Sequence, residues 1–346
     1  MNPIFYCSDL HIGAIRSGGT TPATAMQLRL QLLDQFDQLL EAADSHDLII
    51  NGDTFDKENV PMSDLFECWR LLQAWLTRNQ TCVLCIPPAN HDLSKNSATF
   101  TSFDMLVKLL QAEFPERVLS SKEGFVFRPG HYVVPHQANQ SLFELELSRI
   151  PAGTKILYIH ANVNNTFAAK SDHSLNISLD QAKTLSVETI IVGHEHQRST
   201  HLNGKVLVVG NQIPSSVADC LGNDIKYALR ITDAGIEWLP TWESKGSFVE
   251  MDWRELAPTT CDFVRVTGKA SAAEASAVVT SISNFRKVSQ ALVITNACEV
   301  ESTNDGERIE VSLEQIRSFS VLEELLKILN EDERATVTKL LEKNEA

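Results

Sequence analysis

Side chains that can bind a metal ion recur in this chain at the points where short apolar runs end. The fullest case is Gly193-His194-Glu195-His196, which follows the β-branched run of residues 189–192. A run of this kind predicts a buried strand, and the i, i+2 spacing sends both imidazoles to one side of an extended backbone. Taken alone, the pair fits two surface histidines as well as two metal ligands. The other strand ends in the chain favour the metal.

Further apolar runs also predict strands, and each ends in residues that carry oxygen or imidazole ligands. In chain order these ligands are Asp9, His11, Asp53, Asn90 and His160. In layered α/β folds, functional side chains gather at the carboxyl ends of the strands. We therefore expect these residues to converge with the two histidines of the first motif.

The number and type of these ligands predict two metal ions. Three oxygen ligands and four imidazoles exceed the needs of one ion. Neighbouring divalent cations repel each other, and a carboxylate between them offsets the repulsion; Asp53 is the natural candidate. Two-metal centres hold their ions about 3.5–4 Å apart and activate a water for in-line attack on phosphorus. Mixed carboxylate and imidazole ligands favour manganese, iron or zinc over magnesium or calcium.

His91 and Asp92 directly follow the candidate ligand Asn90. If Asn90 binds a cation, His91 lies beside it, where it would stabilise charge on a phosphoryl oxygen or protonate the leaving oxygen. Asp92 is the candidate for orienting that imidazole. Any one of these residues could be an ordinary core side chain, but chance does not put the whole ordered set at strand ends.

Helices and strands alternate in the first part of the chain, which predicts an α/β fold of two stacked sheets flanked by helices. Apolar residues at helical spacing predict a helix over residues 28–40, another from about Ser63 and a third near residues 103–112. A loop rich in Gly, Ser and Thr is expected at residues 16–24. These elements would position the strand ends described above.

The last third of the chain predicts a different organisation. A linker-like stretch at residues 244–247 suggests that residues 1–243 form the main domain. Residues 248–300 read as a small β-α-β unit. Residues 310–346 carry two short apolar helical stripes, which either pack on their own domain or offer a docking surface to a partner.

Composition places the chain among ordinary globular proteins and excludes some functions. Its 346 residues are 43% hydrophobic and 22% charged, with a formal net charge of −15. This balance argues against a module that coats nucleic acid by bulk electrostatics, but not against an enzyme whose metal ions supply local positive charge. No uninterrupted apolar run approaches membrane-spanning length, and the start of the sequence, residues 1–4, lacks a basic region before an apolar stretch, so we expect a cytoplasmic protein without a membrane partner. The pair Cys82 and Cys85 is interpreted as buried reduced thiols.

Taken together, the motifs resemble those of the calcineurin-like metallophosphoesterases. They are Asp9-x-His11, Gly52-Asp53-x-x-Asp56, Asn90-His91-Asp92, His160 and Gly193-His194-x-His196. The resemblance implies that one metal ion is held by Asp9, His11, Asp53 and His196. It implies that the other is held by Asp53, Asn90, His160 and His194, and that His91 is the catalytic histidine. The family has glycine where this chain has Ala89, and a positive φ there would cost about 1 kcal/mol.

A looser resemblance covers most of the chain and is to the nuclease subunit of SbcCD-type recombination complexes and its phage counterparts. It rests on Gly52-Asp53-Thr54-Phe55-Asp56, on Gly210-Asn211-Gln212-Ile213-Pro214-Ser215 and on Asn223-Asp224-Ile225-Lys226-Tyr227. It implies a manganese-dependent DNA exonuclease or endonuclease that acts in recombination and repair. It also implies that residues 248–300 are a capping domain and that residues 310–346 dock an SbcC-type ATPase, and a homodimer fits as well. Because the chain contains no GxxxxGK[ST] motif, any ATP-driven step belongs to another polypeptide.

Several alternatives stay open at this point. The same scaffold would suit a phosphatase or phosphodiesterase of small phosphoesters, or a non-catalytic partner of the ATPase, which the intact ligand set disfavours. Asp56 is expected to orient a ligand from outside the metal shell or to face the substrate. The histidines outside the motifs are expected to be surface or loop residues: His46, His131, His136, His173 and His201.

Overall fold

A computed structural model describes residues 2–16, 21–96, 99–165, 175–222 and 224–301. The chain divides into two compact units, Met1–Val300 and Glu301–Ala346, and every described residue except Glu301 lies in the first. His173, Asn223 and the segment 310–346 fall outside the described residues, so what the sequence predicts for them stays a prediction.

The first large sheet combines the opening strands of the chain with a later hairpin. Its strands are β1 (Ile4–Cys7), β2 (Asp47–Ile50), β3 (Leu84–Cys85), β4 (Val118–Leu119), β13 (Ile225–Thr232) and β14 (Gly235–Glu243). They lie in the order β14-β13-β1-β2-β3-β4. Strands β1 to β4 are parallel, whereas β13 is antiparallel to both β1 and β14. The carboxyl ends of the four parallel strands therefore share one edge.

The second large sheet has the same mixture of parallel centre and antiparallel rim. Its strands are β5 (Phe125–Arg128), β6 (His131–Val134), β7 (Ile156–His160), β10 (Thr189–Gly193), β11 (Ser199–His201) and β12 (Val206–Val208). They lie in the order β11-β12-β10-β7-β6-β5. Strands β6, β7, β10 and β12 are parallel, and the edge strands β5 and β11 are antiparallel to their neighbours.

The first five helices of the described chain cover the outer faces of the two large sheets, and the sixth packs on a smaller third sheet. They are α1 (Pro22–Ala42), α2 (Met62–Arg78), α3 (Ser102–Glu113), α4 (Gln140–Ser148), α5 (Leu179–Thr184) and α6 (Ala275–Val288). Side-chain caps fix several starts; Thr21 accepts a hydrogen bond from the Thr24 amide, and Thr101 and Asp104 form a capping box. In the part of the chain that the structure describes, no helix has the length and apolarity needed to cross a bilayer.

Strand alternation explains why two sheets stack with helices outside. In β1, Phe5 and Cys7 pack in the core with α1 to α3, whereas Ile4 and Tyr6 pack in the core between the sheets. Tyr6 stacks there on Tyr158 of β7, with ring centroids 6.0 Å apart. Helices α4 and α5 pack on the outer face of the second sheet. The predicted sandwich of two sheets flanked by helices is confirmed.

A third, smaller sheet follows the hairpin. It consists of β15 (Phe248–Asp252), β16 (Phe263–Thr267) and β18 (Val293–Asn296), all parallel. Helix α6 connects β16 to β18, so the predicted β-α-β unit is present, and Glu274 accepts the Ser271 amide at its start. Short pairs complete the strands: β8 (Asn162–Val163), β9 (Asn176–Ile177), β17 (Lys269–Ser271) and β19 (Glu299–Glu301). The division into domains at residues 243 and 248 stays a prediction.

The structure differs from the sequence-based expectation in a few elements. Helix α1 begins at Pro22, inside the loop expected at residues 16–24, because Thr21 caps it and proline suits the first helical position. Helices α4 and α5 were not predicted. Both are short; α4 buries Phe143, Glu146 and Leu147, a pattern too brief to give a clear helical period.

Candidate metal centre

The candidate site lies at the carboxyl edge of the two large sheets, where the loops after β1, β2, β3, β7 and β10 meet. Three groups of side chains there have potential ligand atoms within 4.8 Å of one another. The groups are Asp9, His11 and His196; Asp53, His160 and His194; and His11, Asp53 and His91. The histidines and aspartates expected to be ligands therefore converge as predicted.

The first group is organised around a close contact between two imidazoles. The Nε2 atoms of His11 and His196 lie 3.0 Å apart, and Asp9 Oδ1 lies 3.9 Å from His196 Nε2. Both Asp9 and His11 are buried. Two Nε2 atoms this close must either share a proton or bind the same cation, since two lone pairs would repel each other.

The second group shares a carboxylate oxygen with the first. Asp53 Oδ2 lies 3.3 Å from His160 Nε2 and 3.9 Å from His11 Nε2. The imidazole of His194 lies beside that of His160, with ring centroids 5.2 Å apart. One oxygen that faces both groups suits a carboxylate that bridges two cations.

Outer hydrogen bonds fix which ring nitrogen of His160 and of His196 faces the site. His160 Nδ1 lies 2.8 Å from the Asn51 carbonyl, which can only accept, so Nδ1 carries the proton and Nε2 points inward. His196 Nδ1 lies 2.6 Å from Asp219 Oδ1 and is fixed in the same way. Contacts of this kind orient metal-binding histidines and fix their tautomer.

The backbone of the site is strained. Four residues have positive φ: Asp9 (54°), His11 (48°), Asp53 (49°) and His194 (92°). Non-glycine residues in this region cost of order 1–3 kcal/mol each and cluster at functional sites. Hydrogen bonds between the loops hold them there, from the Asp9 amide to the Gly52 carbonyl and from the His11 amide to the Asp53 carbonyl, both 3.0 Å long.

The ionisable groups of the site perturb one another strongly. Burial would disfavour the charged form of His160, but the carboxylates of Asp53 and Asp9 outweigh it and raise the pKa of His160 to about 9. Burial would likewise raise the pKa of Asp53, yet the neighbouring His160 holds it well below the usual range. Burial lowers the pKa of His194 to about 4, and the charge of His160 acts in the same direction. The buried carboxylates are therefore stable only beside a positive charge. When no metal is bound, a proton on His160 supplies that charge.

Buried polar atoms without partners test whether cations fit. His160 Nε2 and Asn90 Oδ1 are buried, and neither makes a hydrogen bond with a described residue. Such atoms are costly to bury unless something binds them. Imidazole nitrogens and amide and carboxylate oxygens are the donors that manganese, iron and zinc accept. The residues present therefore fit a pair of divalent cations.

Asn90 is the remaining predicted ligand, and the loop that carries it is tied to Asp53. The amide of His91 donates to Asp53 Oδ1 over 3.0 Å, which places Asn90 next to the second group. Ala89 is not among the residues with positive φ. The alanine that replaces the family's glycine therefore carries no backbone strain.

His91 differs from the other site histidines because it is exposed. Its Nδ1 lies 2.6 Å from the Asp56 carbonyl, so Nδ1 carries the proton and Nε2 is left for the solvent side. Its ring meets the ring of His11 edge-on, with centroids 4.9 Å apart. The imidazole is thus placed to contact a bound substrate.

Asp92 does not orient His91, which corrects the expectation from the sequence. Its carboxylate is buried and accepts hydrogen bonds from the amides of Phe55 (3.0 Å), Ala89 (3.1 Å) and Thr54 (3.3 Å). Burial raises its pKa to about 8, and the charge of Asp53 adds to the effect. Asp92 therefore ties together the loops after β2 and β3. The orienting contact to His91 comes from the Asp56 backbone instead.

Sequence reasoning missed three residues around the site. Asp219 contacts His196, as described above. Arg16 donates from Nη1 to Asp56 Oδ1 over 3.0 Å, so the Asp56 side chain faces a guanidinium. His136 lies in a loop, as expected, but it is half-buried and its ring lies 6.5 Å from that of His160. None of the three belongs to a motif of fixed spacing, so only the fold brings them in.

The other described histidines outside the motifs bond elsewhere. His46 Nδ1 lies 2.8 Å from the Asp44 carbonyl, His131 Nδ1 lies 2.9 Å from the Tyr158 hydroxyl, and His201 bonds with Ser199. None of the three belongs to the metal-binding groups formed by the described residues.

Comparison with known proteins agrees with this geometry. A family model described as "Calcineurin-like phosphoesterase" matches residues 3–198. This range contains every predicted ligand, and it is more than half of the 346-residue chain. The comparison with curated proteins finds no matching relative.

Gly52 provides a test of the site's packing. Its φ is +85°, and a Cβ there would lie 2.4 Å from the Ala89 Cβ and 2.7 Å from His160 Nδ1. We expect Gly52→Ala to lower the free energy of unfolding by about 2–4 kcal/mol, from backbone strain and overpacking together. Gly153→Ala is the matched control, because Gly153 has φ +84° with no atom within 4 Å of its Cβ position. Urea denaturation in the presence of chelator measures both; equal losses would contradict a packed site.

Proposed function

The chain belongs to the calcineurin-like phosphoesterases, and from that premise we propose that it is a metal-dependent nuclease that hydrolyses DNA phosphodiesters. Phosphoester hydrolysis is the reaction of the family. The main structural support for that reaction in this chain is the pair of ligand groups that both face Asp53 Oδ2. The DNA substrate, the manganese and the partner go beyond family membership. The resemblance to the SbcD-type nucleases and the apolar stripes of residues 310–346 support them.

In this proposal the ligand groups divide between two cations. Asp9, His11, Asp53 and His196 hold one, and Asp53, Asn90, His160 and His194 hold the other. The grouping of ligand atoms and the buried, unbonded atoms Asn90 Oδ1 and His160 Nε2 support this division. When bound, such a pair of ions supplies an activated water and neutralises charge on the phosphoryl group.

His91 performs the proton chemistry of the proposed reaction. The Asp56 carbonyl holds the proton on Nδ1, so Nε2 is the nitrogen that meets the substrate. From Nε2 a protonated imidazole donates to a phosphoryl oxygen or to the leaving oxygen of the scissile bond. The exposure of His91 supports this role, since His11 and Asp53 in the same group are buried.

The choice of DNA rests on the resemblance of residues 52–56 and 210–215 to the SbcD-type nucleases. The net charge of −15 is consistent with a subunit that binds DNA largely through the positive surface of a partner. The same charge favours the second candidate, a phosphatase or phosphodiesterase of small phosphoesters, because an acidic surface does not concentrate DNA. The two candidates share the metal centre and differ only in substrate.

An assay on defined substrates separates these candidates. The purified chain is incubated with Mn²⁺ and linear duplex DNA, and in parallel with a small phosphodiester and a small phosphomonoester. We expect metal-dependent loss of the DNA that chelator abolishes. Rapid turnover of a small phosphoester with intact DNA would instead establish the second candidate.

Removing the imidazole of His91 tests its role. We expect His91→Ala to bind two Mn²⁺ ions as the wild type does and to lose about 10²–10⁴-fold in turnover, the usual contribution of a general acid or base. His46→Ala is the matched control, since His46 precedes β2, at the opposite end from the site. A His91→Ala variant with wild-type turnover would remove His91 from the mechanism.

The proposed partner is an SbcC-type ATPase that docks on residues 310–346. The apolar stripes of that segment in the sequence support docking, because each would be left uncovered on an isolated helix. Deleting residues 310–346 should abolish co-purification with such an ATPase and leave Mn²⁺ binding at wild-type stoichiometry. Co-purification that survives the deletion would refute the docking surface.

A further inference from the structure

We propose that Asp219 and Lys226 are a positioning pair that holds the His196 imidazole and so strengthens one of the two cation positions, the one His196 shares with Asp9 and His11. This inference rests on the proposed metal centre. It adds two residues that lie beyond the family match at residues 3–198.

Asp219 fixes the direction in which His196 presents its ligand atom. The carboxylate Oδ1 lies 2.6 Å from His196 Nδ1. An ionised carboxylate can only accept, so the Nδ1 proton lies in this bond and Nε2 is left for the site. That Nε2 lies 3.0 Å from His11 Nε2 and 3.9 Å from Asp9 Oδ1.

The carboxylate of Asp219 is itself held in one orientation. Its Oδ2 accepts hydrogen bonds from the amides of Ser215 (2.8 Å) and Ser216 (2.9 Å) and from the Ser215 hydroxyl (3.2 Å). The residue is 3% exposed. A buried carboxylate whose two oxygens both accept hydrogen bonds cannot rotate away from His196. The His196 imidazole is therefore held in one position as well.

Lys226 balances the buried charge and tethers the backbone of His196. It is 3% exposed, and its Nζ donates to the His196 carbonyl over 2.9 Å. Burial lowers the pKa of Lys226, and the carboxylate of Asp219 opposes that shift, as expected of a nearby negative charge that stabilises a buried ammonium. Lys226 lies on β13 of the first sheet, whereas His196 follows β10 of the second. The pair therefore ties the ligand loop of one sheet to the other.

The second cation position lacks this arrangement. There the outer partner of His160 is a neutral group, the Asn51 carbonyl. A carboxylate makes the attached imidazole a more basic ligand than a carbonyl does, and loss of such a partner typically costs 10–100-fold in metal affinity. Removing the Asp219 charge should therefore weaken one cation position and spare the other.

A purely structural role for Asp219 predicts something different. If Asp219 only held the turn of residues 215–220, its loss would lower the unfolding temperature and weaken both cation positions together. Selective weakening of one position distinguishes the two explanations, and it does not depend on activity.

The experiment titrates Mn²⁺ into the full chain, with calorimetry for affinity and the electron paramagnetic resonance of free Mn²⁺ for stoichiometry. In Asp219→Asn we expect one of the two ions to bind 10–100-fold more weakly, with the other unchanged. Asp180→Asn is the control, because Asp180 is an exposed carboxylate on α5 that pairs with Lys183. Equal weakening of both ions, or none, would overturn the inference.

Two further variants keep the inference testable. In a His196→Ala background, Asp219→Asn should change neither Mn²⁺ affinity by more than about twofold, because the pair acts through His196; a persisting 10-fold loss would refute this. If Asp219→Asn does not fold in chelator, Lys226→Met takes its place and should weaken the same single position. A wild type that binds no Mn²⁺ would refute the proposed function itself, whereas wild-type binding of two ions without selective loss would refute only this inference.

Discussion

The site depends on one electrostatic constraint, the burial of two carboxylates and several imidazoles within a few ångströms of one another. Asp9 and Asp53 are nearly inaccessible to solvent, and Asp53 Oδ2 faces imidazoles of both ligand groups. Buried anions need nearby cations. A protonated His160 is only a partial answer, because it leaves Asn90 Oδ1 without a hydrogen-bond partner among the described residues. Two divalent ions would satisfy the carboxylates and the Asn90 oxygen together.

The rest of the fold can be understood as the support for that crowded site. Parallel strands bring the ligand loops to one edge, and buried polar side chains lock the loops to each other. Asn51 donates to the Tyr6 hydroxyl and to the Ile159 carbonyl, which spans the two sheets. Asp92 accepts three amides of the loops after β2 and β3. These contacts hold a strained backbone that local sequence alone would not stabilise.

The sequence predicted which side chains converge because their signal is local. A strand end followed by Asp-x-His or Gly-His-x-His specifies both the element and the residue, and Asp9, His11, His194 and His196 converge as expected. The contacts that orient those ligands carry no such signal. Asp219 follows His196 by 23 residues, and only the folded chain brings them together. The error for Asp92 has the same origin. Its position next to His91 in the sequence indicated a contact between the two side chains, but the Asp92 carboxylate accepts hydrogen bonds from backbone amides instead.

The most direct measurement of the central claim is a crystal structure of the full chain grown with Mn²⁺, with anomalous differences recorded at the manganese edge. The account predicts two anomalous peaks about 3.5–4 Å apart, with an oxygen of Asp53 between them and His160 and His196 on different ions. A single peak, or peaks away from Asp53, would contradict it.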